Sequence, residues 1–194
     1  FRILKFKKDK PIFEVQNVSK SFNGRSVLKK LSLKVFPGEI VGILGPNGCG
    51  KTTLFSMCIG EQNIEGGKIL LNNKAIDQIP IHLRAEEGLG YLPQQRSVFN
   101  MSVYDNILGV AQISIKGIDK QKEITEKLLD EFNLQHLRSL NANVLSGGEL
   151  RRLMMARVMI NDPKVVLLDE PYAALDPLII QDISKYILSI QAKK

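Results

Sequence analysis

The sequence predicts an α/β fold: a parallel sheet flanked by helices, with an antiparallel β subdomain ahead of it and an α-helical subdomain inserted into it. Three stretches carry this reading. "EIVGILGPNGCGKTTLFSMCIG" (39–60) runs from an apolar extended segment through a glycine-rich loop into a helix. "KVVLLDE" (164–170) is a nearly continuous apolar run closed by two acids, the pattern of a strand buried on both faces of a parallel sheet. Between them, residues 102–112 and 120–132 place apolar side chains at helical spacing among charges.

Taken in order, "IFEVQNV" (12–18) alternates as a strand does, and "LKKLSLKV" (28–35) alternates similarly before a turn at Pro37 and Gly38. These two are expected to be antiparallel. "EIVGIL" (39–44) reads as a buried strand entering the glycine-rich loop, and "KTTLFSMCIG" (51–60) as a helix ended by Gly60. "GGKILLNNKAI" (66–76) reads as a hairpin turning at Asn72 and Asn73. After "GLGYLPQQ" (88–95) comes the helical insertion. "GGELRRLMMARVMIND" (147–162) continues as a helix with Leu150, Leu153, Met154, Arg157 and Val158 in its middle, and Met154, Met155 and Met159 read as core packing. A last helix over 177–191 carries Ile180, Ile183, Ile187, Leu188 and Ile190.

A chain of 194 residues, 44% hydrophobic and 24% charged, has the bulk composition of an ordinary globular protein. No run approaches the roughly 20 apolar residues that span a bilayer, and "FRILKFKKDK" scatters charges through the first ten positions, so the chain is expected to be neither secreted nor membrane-spanning. Cys49 and Cys58 form no disulfide framework or metal-ligand pattern, which suits a reducing compartment. The net charge of +7 would suit an anionic partner, and Arg2, Lys5, Lys7, Lys8 and Lys10 concentrate part of it in a basic segment (1–11) that reads as a solvated end.

The chemistry starts at the loop. Gly45, Pro46, Asn47, Gly48, Cys49, Gly50, Lys51 and Thr52 fit G-x-x-x-x-G-K-[ST] at every position, between a strand and a helix. A triphosphate presents crowded negative oxygens, and bare glycine backbone lets successive N–H groups point at them. The helix that follows adds the positive end of its dipole. Lys51 would reach the β and γ phosphates, and the Thr52 hydroxyl would bind Mg²⁺ with Thr53 beside it. A chance lysine after a glycine-rich turn is the competing reading, and the full match makes it the weaker one. Cys49 reads as a tolerated small residue. The apolar strand ending at Asp169 would deliver a second metal ligand, and Glu170 directly after it could orient a water in line with the γ phosphate.

"LSGGE" (145–149) lies between the loop and the acidic strand. With all three elements in this order, the chain resembles the nucleotide-binding subunits of ABC transporters from residue 12 onward. The resemblance implies a P-loop NTPase core over 12–194 with its helical subdomain at about 96–159, ATP and Mg²⁺ as cofactors, and a homodimer closing head to tail over two ATP molecules. Ser146, Gly147 and Gly148 would then contact the γ phosphate held by the other subunit. Phe22 in "SKSFNG" matches the aromatic that stacks on adenine, with a core anchor as the alternative. Gln94 in "YLPQQ" matches a glutamine that touches the metal or its water, although Gln95 leaves the register open. Lys51, Gln94 and Glu170 would be the catalytic set, and Thr52, Gln94 and Asp169 the metal set. Ala174, Leu175 and Asp176 match a loop that puts Asp176 at the dimer interface.

"RAEEGLGYLPQQRSVFNMSVYDNI" (84–107), "LSGGELRR" (145–152) and "LLDEPYAALDP" (167–177) resemble the lipopolysaccharide-export branch of this family more than its branched-chain amino acid importers. A non-transport, nucleotide-gated module is the alternative of another class; its relatives carry coiled-coil insertions or tandem cassettes. The resemblance implies a transmembrane permease partner, no nucleic acid, and a peripheral place on the cytoplasmic face of the inner membrane. A docking surface is expected near Val98, Phe99 and Tyr104. The family carries a switch histidine on a strand after the last helix. His82 and His136 both precede the acidic strand, so the chain is expected to be C-terminally truncated relative to the family, with full turnover in doubt and the two histidines exposed.

Overall fold

The computed structural model describes residues 10–173 and 175–192, which form two compact units, 10–81 and 82–192. Arg2, Lys5, Lys7, Lys8 and Ala174 lie outside the described residues; Lys10 is exposed.

The first unit is built on a four-stranded antiparallel sheet in the order β2-β1-β3-β4. Strands β1 (Phe13–Phe22) and β2 (Arg25–Val35) pair from Phe22 opposite Arg25 to Phe13 opposite Val35. Asn23 and Gly24 make the two-residue turn between them at φ 48° and 78°, the left-handed backbone a tight hairpin requires. The alternation read from the sequence buries Phe13, Val15 and Val18. Bulges interrupt it, and Ser32 Oγ accepts from Asn17 N–H at 2.9 Å while Ser19 Oγ accepts from Lys30 N–H at 3.0 Å. Strand β3 (Gly66–Leu71) pairs with β1 and turns through Asn72 and Asn73, at φ 50° and 62°, into β4 (Lys74–Ala75), so the expected hairpin forms. Helix α1 (Lys51–Ile59) buries Leu54, Met57, Cys58 and Ile59 and stops at Gly60, in the left-handed conformation at φ 92°.

Residues 39–44 differ from expectation. They form no strand, and Ile40, Val41 and Leu44 are 56%, 42% and 95% exposed. A strand exists only where a neighbour completes its ladder, and neither of the two sheets includes this segment.

The second unit holds all but the first residue of α2 (Ile81–Glu86), then β5 (Leu89–Leu92), α3 (Val103–Ser114), α4 (Ile118–Glu131), α5 (Gly147–Met159), β6 (Val165–Leu168) and α6 (Pro177–Ala192), with 3₁₀ turns at Gln135–Leu137 and Ala142–Val144. Strands β5 and β6 pair in parallel, Leu89 opposite Val165 through Leu92 opposite Leu168. Strand β6 is buried along one alternation, Val165 and Leu167, and half-buried along the other, Val166 and Leu168, rather than sealed on both faces. Around this pair Leu92, Val103, Ile107, Leu128, Leu129 and Leu153 form one apolar core. Met154 and Met155 are buried in it and Met159 packs against it, as their spacing predicts. Helix α6 sends Ile183, Ile187 and Ile190 to the core, and its Tyr186 stacks on Phe132 at 5.2 Å. Leu188 is instead 56% exposed, since five positions beyond Ile183 is about 140° around a helix. The fold is mixed α/β.

Candidate functional site

Helix α1 begins without a side-chain cap and with no acid in its first turn, so its leading N–H groups keep their anion-binding character. The loop before it sets them out. Gly48 and Gly50 have φ of 77° and 101°, and a Cβ at Gly50 would lie 3.0 Å from Val27 Cγ1 and Leu28 Cδ2. Glycine is thus required there by backbone conformation and by space. Gly45, Pro46, Asn47, Gly48, Cys49 and Thr52 are exposed, and Thr53 is half-buried. Lys51 Nζ arches back over the loop, donating to Gly45 O at 2.7 Å and Pro46 O at 3.0 Å, with Cys49 Sγ 3.9 Å away. Phe22, at the end of β1, is 42% exposed, with Lys20 Nζ 5.4 Å from its ring centroid, which removes the core-anchor alternative.

In the second unit, β6 ends at Asp169, whose N–H donates to Leu92 O at 3.0 Å. The residue is 3% exposed, and its buried Oδ2 has no hydrogen-bond partner among the described residues. An orphaned buried carboxylate oxygen is costly unless a cation or donor meets it, so this residue fits a metal ligand. Glu170 is exposed and sits at φ 45°, a left-handed backbone that glutamate adopts rarely. Gln94 Nε2 donates to Glu170 Oε2 at 2.6 Å, so Gln94, not its neighbour Gln95, makes the bond to this acid.

Ser146 caps α5 with a reciprocal box: its Oγ accepts from Glu149 N–H at 3.4 Å, and its own N–H and hydroxyl donate to Glu149 Oε2 at 2.8 and 2.7 Å. Donation by the Ser146 hydroxyl, then by its N–H, holds the Glu149 carboxyl below the ordinary carboxylate pKa. Ser146 is exposed and Gly147 half-buried, whereas Gly148 is buried, and a Cβ there would lie 2.8 Å from Ile179 Cγ2 of α6. Asp176 Oδ1 accepts from Leu178 and Ile179 N–H, both at 3.0 Å, which starts α6. His82 and His136 are exposed, as expected.

Three residues that sequence reasoning gave no polar role shape the segment after β5. Asn106 is fully buried; its side chain accepts from Phe99 N–H at 2.8 Å and donates to Phe99 O, Met101 O and Ser102 O at 3.0, 3.2 and 3.0 Å. Arg157 donates to Ser97 O and lies 4.5 Å over the Phe99 ring, and burial pushes its pKa down. Arg151 is buried and donates to Pro93 O at 3.2 Å. The available signal was a polar residue recurring on the apolar face of a helix. Phe99 is left 44% exposed, while Val98 packs on the core and Tyr104 lies half-buried under Arg138. Beside this segment an open pocket of about 240 Å³ is lined by Leu92, Pro93, Ser97, Val110, Met154 and Arg157. Gln94, Asp169 and Glu170 do not line it.

Residues 28–173 match the ABC transporter family. The chain is 42% identical over 182 residues to the lipopolysaccharide export system ATP-binding protein LptB of Haemophilus influenzae, covering 93% of this chain and 76% of the relative. To the Escherichia coli protein of the same description it is 44% identical over 174 residues, 89% of this chain and 72% of the relative. Among solved structures, cbiO1 from Clostridium perfringens, described as part of the ABC transporter complex cbiONQ, superposes with a TM-score of 0.86 at 30% identity, covering 95% of this chain and 75% of that one. A nucleotide-free ATP-binding cassette from an ABC transporter superposes with a TM-score of 0.86 at 26% identity, covering 95% and 78%. The chain is a member of the ABC transporter family and carries its ATP-binding domain.

Proposed function

We propose that this chain is the ATP-hydrolysing subunit of a transporter that exports lipopolysaccharide from the inner membrane. The observation that carries the proposal is the complete phosphate loop leading into an uncapped helix, with Lys51 held over its carbonyls. The relatives described as lipopolysaccharide export proteins support the cargo.

In this reading the amides of residues 45–50 and the Lys51 ammonium bind the β and γ phosphate oxygens, and Phe22 stacks on the adenine. By the family resemblance, Thr52 would offer a hydroxyl, Asp169 its orphaned oxygen and Gln94 its amide oxygen as Mg²⁺ ligands. The metal, when bound, supplies positive charge that neutralises the phosphate oxygens. Glu170 accepts a proton from the attacking water, and Gln94, bonded to it at 2.6 Å, fixes the direction of its carboxylate. Ser146 and Gly147 present the start of α5 to the γ phosphate of a second copy. Gly148 belongs to this turn through its backbone, since its Cα side is filled by Ile179.

The working unit is proposed to be a homodimer on the cytoplasmic face of the inner membrane, with helices α3 to α5 forming the helical subdomain (96–159) and exposed Phe99 meeting a transmembrane permease subunit. No described helix is long and apolar enough to cross a membrane itself. Turnover of the wild type and of Glu170→Gln, with ATP and magnesium, tests the proposal. The substitution should lower the rate by about 10²- to 10⁴-fold, the range of general-base catalysis, while ATP binding survives and the protein pairs. Undiminished turnover would remove Glu170 from the chemistry, and failure of membrane subunits to co-purify from detergent would remove the transport role.

A further inference from the structure

Arg151 lies on α5, five residues after Ser146, and is only 6% exposed. Burying a guanidinium is unfavourable unless its donors are met, and burial pushes its pKa below the ordinary value. Its donors go to main-chain carbonyls. Nη1 reaches Pro93 O at 3.2 Å, and Nη2 approaches Glu170 O at 3.5 Å. Pro93 immediately follows β5 and precedes Gln94; Glu170 lies two residues beyond β6. One planar fork therefore spans the exits of both parallel strands, at Glu170 and at the carbonyl just before Gln94, and the side chains of Gln94 and Glu170 meet at 2.6 Å.

The backbone at Glu170 gives that contact its weight. A glutamate at φ 45° persists only where the surroundings over-determine it. Here the Glu170 carbonyl takes Ala173 N–H at 3.1 Å from within the chain turn and Arg151 Nη2 from the helix. The bonds to its carbonyl hold Glu170 from its C-terminal side, and Asp169 N–H bonded to Leu92 O holds the chain just before it, so the backbone at Glu170 is restrained on both sides of the left-handed residue. The φ in turn decides where the Glu170 carboxylate points.

We infer that Arg151 is a positioning residue for hydrolysis: by holding the carbonyls of Pro93 and Glu170 it keeps the Gln94 amide and the Glu170 carboxylate in register. The inference rests on the reading that Glu170 activates water. Arg151 touches neither nucleotide nor metal in this account. A lysine keeps the charge but reaches one carbonyl at a time, because only the guanidinium presents two donors in a fixed fork.

The test compares Arg151→Met and Arg151→Lys with the wild type, measuring kcat, KM, ATP affinity and melting temperature on the whole chain. Misplacement of a reacting group is expected to lower kcat roughly 10- to 100-fold in the methionine variant. KM and ATP affinity should stay within about threefold, since only an interaction expressed in the transition state is lost. The lysine variant should fall between, and adding Arg151→Met to Glu170→Gln should lower single-turnover hydrolysis no further. Should the methionine variant fail to fold, the lysine variant decides alone: lowered kcat at unchanged affinity supports the role. Unchanged kcat in a folded variant overturns it, as does a loss that adds in full to that of Glu170→Gln. If Glu170→Gln itself turns over normally, the reading beneath the inference has failed instead.

Discussion

At Gly148 two demands meet that the sequence states only once. The pattern "LSGGE" marks it as part of a phosphate-contacting turn, a reading that needs bare backbone and nothing more. The structure adds a packing demand, because Ile179 occupies the space of a Cβ at 2.8 Å. No local pattern announces that, since it depends on α6 lying across the start of α5. Gly148→Ala should therefore destabilise the second unit by about 1–3 kcal/mol, the range for overpacking a tight core. Thermal melts read this directly, and Ile179→Ala in the same chain should restore most of the loss. An unshifted melt would mean that Ile179 yields freely. Lys51, Thr52 and Asp169 could be named as candidates because residue type and spacing along a strand, loop or helix single them out. Arg151, Arg157 and Asn106 were not, because each acts on carbonyl or amide groups far along the chain, which no periodicity encodes.

Elements were readable where their signals are local. Asn72 and Asn73 announced a hairpin and Gly60 a helix end, and both form. The Asn23 and Gly24 turn carries the strongest short hairpin signal of all and was available on the same grounds. Residues 39–44 show the limit: apolar content argues for burial, but a ladder partner is a property of the fold, and the segment lies outside both sheets. Helix α5 is the element whose start matters most. Ser146→Ala removes the hydroxyl side of the capping box and should cost about 1 kcal/mol, checked by denaturant unfolding. The Glu149 half of the box is pH-sensitive. Its carboxyl is held below the ordinary value of 4.5, so it stabilises the folded state fully above that pH. The contribution is lost as pH falls from there through the lowered folded-state pKa. Acid titration of Glu149→Gln against wild type should show the variant less sensitive below pH 4.5, and parallel curves would deny the linkage.

For the whole molecule, the order of loop, signature and acidic strand was enough to give the family, because these motifs are short and each has its own physical reason. The division into units at residues 81 and 82 was not, since it follows from which segments pack together, not from a change in composition. In the proposed function, main-chain amides and one ammonium at the start of α1 grip ATP. Calorimetric titration of the full chain with ATP and magnesium, wild type against Lys51→Ala, tests this most directly. The wild type should bind, and the substitution should weaken binding at least about tenfold, the loss of roughly 1.4 kcal/mol or more expected for a charge-assisted contact to phosphate. Equal affinity in the two proteins, or no heat of binding in the wild type, would contradict it.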